Sequence, residues 1–102
     1  MALTPERKVK QKVVAVLERY GVYYFYPPSN GFGRSGIPDI IACMHGQFIA
    51  IECKAGSNKP TALQLRELKR IETAGGYALV INESNIPQVD AVLQQLRQAN
   101  HV

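Results

Sequence analysis

No stretch of this chain is apolar for long enough to span a membrane, and Met1-Ala2-Leu3-Thr4-Pro5 runs straight into charge rather than into the core of a secretory leader. A cytosolic protein is expected. Cysteine is scarce. Cys43 and Cys53 are the only two, with no Cys-x-x-Cys and no paired histidines beside them, which excludes a disulfide framework and a zinc site of the usual spacing. Both read as buried thiols. Internal repeats and low-complexity segments are absent. Acid is outnumbered by base, 8 residues to 12, for a net charge of +4 and a pI near 9.3. That balance favours a polyanionic partner, and on charge alone nucleic acid and an anionic membrane surface fit equally. The basic residues Arg7, Lys8, Lys10 and Lys12 cluster at the start. With 102 residues, 46% of them hydrophobic, one core can be built but not two, so residues 1–102 are expected to form a single domain.

What is present is a pair of carboxylates and an amine in a telling arrangement. Residues 37–44 and 47–53 are short apolar runs flanking His45-Gly46, the pattern of a β-hairpin. With a two-residue loop, Met44 pairs with Gln47, and counting back along both strands sets Asp39 opposite Glu52. A three-residue loop would slip the register by one and turn one carboxylate away. Opposed side chains sit about 4.5–5.5 Å apart at Cβ, and two like charges that close cost stability unless a cation lies between them. Lys54, two residues beyond Glu52, projects over the same face. Glu-x-Lys alone is a common surface triplet. The apolar neighbours Ile40, Ile41, Ile49 and Ile51 argue against exposure on both faces and favour a functional pair that one metal ion could organise.

A first helix is expected from the Thr4 cap, with Pro5 at its first position, to about Tyr20, where Gly21 ends it. On a helical wheel with Glu6 at zero, Val13 and Leu17 lie within about 20°, and Val9 and Tyr20 within about 60°. Glu6 therefore falls at the centre of the buried stripe. Glu18, near about 120°, falls at its edge and reads as a surface residue. For Glu6, favourable interaction with the helix macrodipole and a place in an active site stand as equal readings. Residues 22–26 read as a strand. The loop over 27–36 then leads into Asp39, and its glycines 31, 33 and 36 would let backbone approach a ligand, with Arg34 and Ser35 as donors to phosphate; a flexible connector is the plainer alternative. After a second loop at 55–60, Thr61 begins a helix. Gln64 completes a capping box there, yet it falls within the stripe set by Leu63, Leu68 and Ile71, where a buried amide would need a partner such as Lys54 or a metal-bound water. Gly75-Gly76 ends that helix, residues 77–82 read as a short buried strand, and a last amphipathic helix runs from Ile86-Pro87 to about Gln98.

The predicted order αβββαβα, with Ile37-Pro38-Asp39 on the second strand and Glu52-Cys53-Lys54 on the third, resembles the PD-(D/E)xK nuclease superfamily. Within it the chain is similar to stand-alone VRR-NUC (virus-type replication-repair nuclease) domains, on Glu6, the run 34–39, the run 51–54, Gln64 and Ala74-Gly75-Gly76-Tyr77-Ala78. These residues span nearly the whole chain. The resemblance implies an α/β, restriction-endonuclease-like core whose mixed sheet is flanked by helices. It also implies a metal site made by Asp39, Glu52 and the backbone carbonyl of Cys53, with Glu6 joining directly or through water. Mg²⁺ is the expected ion and Mn²⁺ a substitute; no small-molecule cofactor is expected. Lys54 would orient the attacking water or stabilise the transition state, and Gln64 would hold Lys54 or that water.

Arg34, Ser35, Lys59 and Arg66 are the candidates for contacts to the DNA backbone. The implied activity is a metal-dependent, structure-selective endonuclease acting as a homodimer on branched DNA, four-way (Holliday) junctions in particular, and so a part in DNA repair. A general or nicking nuclease shares this chemistry and differs in substrate. A non-catalytic DNA-binding module of the same fold is the third possibility, and the intact Asp39, Glu52 and Lys54 speak against it. No membrane partner is expected.

Overall fold

A computed structural model of the chain describes residues 3–28 and 35–99. Its elements are α1 (Pro5–Arg19), β1 (Tyr23–Phe25), β2 (Ile40–Met44), β3 (Gln47–Cys53), α2 (Ala62–Thr73), β4 (Tyr77–Ile81) and α3 (Pro87–Ala99). This is the predicted α/β order. One mixed sheet carries the strands in the order β1-β2-β3-β4, antiparallel from β1 to β3 and parallel between β3 and β4. The parallel step needs a crossover, which α2 provides. None of the described helices is long and apolar enough to cross a membrane.

Local chemistry accounts for the boundaries. Thr4 Oγ1 accepts the Arg7 N–H at 3.2 Å, and Pro5 takes the first turn of α1, where its missing N–H costs nothing. Between β2 and β3, His45 (φ 52°) and Gly46 (φ 80°) both adopt the left-handed region. Two such residues make the turn whose twist matches a two-residue hairpin, and Met44 pairs with Gln47 as the sequence predicts. Strand β2 begins at Ile40, three residues later than the apolar run that starts at Ile37. Pro38 has no N–H for the ladder and stays outside it, although it is buried.

The two faces of the sheet differ. Ile40, Ala42, Ile49, Ile51, Cys53 and Ile81 point towards α1 and α3 and form the core with Val9, Val13, Val16 and Leu17 of α1 and Val89, Leu93 and Leu96 of α3. Helix α2 lies on the opposite face, over β3 and β4, and leaves the β1–β2 half uncovered. Tyr23, Phe25 and Cys43 are exposed on that half, and Phe48 of β3 is exposed beside it. The expectation of two buried thiols is therefore corrected. Cys53 is buried, but Cys43 alternates onto the open face, where no helix covers it. On α2 the expected stripe also shifts, because Leu63 is 44% exposed while Glu67 is buried and pairs with Arg70 at 3.4 Å.

Truncating the core side of α1 should cost far more than trimming α2. Leu17→Ala should lower the unfolding free energy by about 2–5 kcal/mol. Leu65→Ala, at a position 52% exposed, should change it by no more than about 0.5 kcal/mol. Urea denaturation followed by circular dichroism measures both, and equal losses would contradict this assignment of the core.

Candidate active site

The hairpin ladder ends at the Ile40–Ile51 pair, and Asp39 and Glu52 are the next residue on either side, at the open end of β2 and β3. Asp39 sits in the bend just before β2, half-buried, and its Oδ2 accepts the backbone N–H of Cys53 at 2.8 Å. Glu52 is 2% exposed. Its Oε2 meets Lys54 Nζ at 3.2 Å, and among the described residues no hydrogen-bond donor reaches its Oε1. Alternation along β3 explains the triplet. Glu52 and Lys54 face the α2 side, whereas Cys53 between them turns into the core, so an apolar-compatible residue is what that position requires. Lys54 is anchored just past the strand by its own N–H, which donates to Ile81 O at 2.9 Å.

Burial and then the charge of Asp39 push the Glu52 carboxyl up to about 7, against the opposing pull of Lys54. Burial, followed by the two carboxylates Asp39 and Glu52, pushes the Cys53 thiol up to about 12, which leaves it protonated and no nucleophile. A buried carboxylate with one bare oxygen, beside a second carboxylate and an ammonium, is a donor set suited to a hard cation. Two side-chain carboxylates meet here, Glu52 from β3 and Asp39 from the bend before β2. Among the described residues no group of three or more His, Cys, Asp or Glu side chains gathers into a metal-binding cluster.

The remaining predicted residues divide. Glu6 is exposed, which corrects its place at the centre of a buried stripe: it does share the inward side of α1 with Val13 and Leu17, but it lies in the first turn, where the packing does not cover it. Its charge still raises both Glu52 and Cys53, so it acts on the site from nearby. Glu18 is exposed and accepts the Tyr24 hydroxyl at 3.0 Å, in keeping with a surface role. Gln64 is half-buried and its Oε1 accepts the Thr61 N–H at 2.8 Å, so the capping box, rather than Lys54, engages that oxygen. Ser35, Lys59 and Arg66 are exposed, while Arg34 lies outside the described residues.

Two contributors escaped the sequence. Glu83 receives the Gly56 N–H on both carboxylate oxygens, at 2.9 and 3.2 Å, and so ties down the loop that follows Lys54. Nothing local in the sequence links the two, since they meet only where the ends of the neighbouring strands β3 and β4 come together. Gly36, expected to serve a ligand, packs instead on the backbone of α2 at Leu63 and Gln64.

The raised Glu52 fixes the sign of a pH effect. Between 4.5 and about 7 the folded protein holds a proton there that the unfolded chain has released. The associated stability is complete below that window and is lost as pH rises through it. With EDTA present, the unfolding free energy of the wild type should therefore fall across this interval relative to that of Glu52→Gln. Parallel urea-derived stability curves for the two proteins would refute the shift.

Comparison with known proteins agrees with this geometry. Residues 6–86 match the family model of the archaeal Holliday junction resolvase (Hjc). The p44 protein of Acyrthosiphon pisum secondary endosymbiont phage 1, whose given name proposes a nuclease, is 33% identical over 92 residues, covering 87% of this chain and 95% of its own. Among solved structures, a VRR-NUC domain superposes with a TM-score of 0.71 at 26% identity, covering 90% of this chain and 97% of that one. Hjc of Archaeoglobus fulgidus, a Holliday junction resolvase, shares the fold at a TM-score of 0.55 and 18% identity, over 76% of this chain and 69% of its own. The chain belongs to the archaeal Holliday junction resolvase (Hjc) family of nucleases, as a VRR-NUC domain with a restriction-endonuclease-like fold.

Proposed function

We propose that this nuclease is a metal-dependent endonuclease selective for branched DNA, four-way junctions in particular, and that it works as a homodimer. The observation that carries the reading is the bare, buried Glu52 Oε1 beside Asp39 and Lys54. Asp39 and Glu52, with the backbone carbonyl of Cys53, would hold Mg²⁺ or Mn²⁺, and Glu6 would reach the ion through water. Bound there, the ion supplies Lewis acidity at the phosphodiester and a more acidic water.

Lys54 has three donors and no acceptor, and Glu52 occupies one of them, so the others are free to orient the attacking water or to meet charge growing on the phosphoryl oxygens. The same carboxylate keeps the ammonium in place and aimed. Gln64, through the amide nitrogen that the cap does not use, would steady that water. Ser35, Lys59 and Arg66, together with Arg34, would hold the DNA backbone and set its position without reading sequence. One protomer carries one such site, and two symmetric cuts in a junction need two. A pair with C2 symmetry matches that substrate, and the uncovered aromatic half of the sheet is a surface it could bury. The expected setting is DNA repair or replication in a bacterial or phage-infected cell.

Cleavage of labelled four-way, nicked and linear DNA, with Mg²⁺ or EDTA, tests the reading. The wild type should place paired symmetric nicks in the junction only when metal is present. Lys54→Ala should lower the rate by about 10²–10³-fold, and Asp39→Ala should abolish it, with junction binding retained in both. Equal cutting of all three substrates would point to a general nuclease, junction binding without cleavage to a DNA-binding module, and undiminished cleavage by Lys54→Ala would sink the assignment.

A further inference from the structure

Among the described residues of the chain that leads into Asp39, Gly36 comes unusually close to α2. Gly36 has φ +83°, and a Cβ placed there would lie 2.5 Å from both the carbonyl carbon and oxygen of Leu63 and 2.8 Å from the backbone nitrogen of Gln64. All three are main-chain atoms in the first turn of a helix, so they cannot swing aside as a side chain could. The Gln64 N–H is already committed to Thr61 Oγ1 at 3.2 Å, which makes the surface under Gly36 part of the capping box. From there the path to the acidic pair is short. Only Ile37 and Pro38 intervene, Pro38 is buried, and its ring fixes one of the few torsions available. A displacement at Gly36 therefore has little slack in which to dissipate before it reaches Asp39.

We propose that Gly36 is a positioning residue for the active site: by letting the chain seat directly on the Leu63–Gln64 peptide, it sets Asp39 against β3, where its carboxylate meets the Cys53 amide. The first turn of α2 then serves as the reference surface for one half of the acidic pair, while β3 carries the other half. This assigns Gly36 to the protein's own packing rather than to a ligand. The consequence for metal binding rests on the function proposed above; the consequence for the Cys53 amide does not.

That amide gives a direct readout, because it donates to Asp39 Oδ2 at 2.8 Å. The full chain, ¹⁵N-labelled and metal-free, is compared as wild type, Gly36→Ala, Gly21→Ala and Asp39→Ala. Gly21 is the control for backbone strain, with φ +66° and no atom within 4 Å of an added Cβ. In Gly36→Ala the Cys53 amide resonance should move towards its position in Asp39→Ala, while the Lys54 amide, bonded to Ile81 O, stays in place. Gly21→Ala should move neither.

Mn²⁺ affinity, measured by electron paramagnetic resonance, should fall about 10–100-fold in Gly36→Ala, the scale of loss when the support that orients a metal ligand is removed, and remain at the wild-type value in Gly21→Ala. Should Gly36→Ala fail to fold, Thr61→Ala loosens the same turn from an exposed position and should speed hydrogen exchange at Cys53 relative to Ile51. A Cys53 amide unmoved in folded Gly36→Ala, or unaltered exchange in Thr61→Ala, overturns the inference. A wild type that binds no Mn²⁺ overturns the metal reading instead and leaves the amide to decide this one.

Discussion

A carboxylate withdrawn from water costs several kcal/mol unless charge and hydrogen bonds replace its hydration, and Glu52 is only partly compensated in this way. One oxygen has Lys54; the other faces the site without a donor among the described residues. The rest of the architecture bears on that strain. Strand β3 is held on both sides, by β2 and by β4, which fixes the backbone that carries Glu52. Its neighbour Asp39 adds to the unfavourable field, and the core beneath α1 and α3 supplies the favourable burial that offsets it. Stability is concentrated on one face of the sheet so that the other can hold a poorly satisfied charge.

Helix α2 connects these two roles. It is the crossover that makes β4 parallel to β3, and it covers the half of the sheet on which Glu52 lies. Its capped first turn also receives the segment that leads to Asp39. The loop after Lys54, tied to Glu83 through Gly56, closes the circuit between β3 and the end of β4. Asp39 thus follows a segment seated on α2, Glu52 and Lys54 follow β3 and its neighbour β4, and the constellation exists only when the sheet and α2 are assembled together.

How much of this was legible depended on whether the signal was local. The hairpin was readable because a two-residue turn and a period of two leave no freedom once the turn is identified, and Asp39, Glu52 and Lys54 followed from it. The caps at Thr4 and Thr61 were readable for the same reason. Glu6 was misjudged because a helical wheel gives direction but not depth, and nothing in it says where the opposing surface ends. The stripe on α2 was centred on its leucines. Yet Glu67 lies about 40° from Leu63 on the same wheel, inside the arc the stripe defined, and hydrophobicity alone hid it. The pairing of Glu83 with Gly56 and the seat of Gly36 on α2 are contacts between separate elements, for which a single sequence carries no pattern.

The alternation that sorts the two thiols onto opposite faces has a practical reach beyond the site. Cys53 is sealed in the core and held protonated by its burial and then by its acidic neighbours, whereas Cys43 stands open among Tyr23 and Phe48. No intramolecular disulfide can join them without dismantling the sheet between. Under oxidising conditions any covalent link must therefore run from Cys43 to another molecule, and a thiol-reactive dye or spin label added to the native chain marks one place, in the middle of the uncovered aromatic surface.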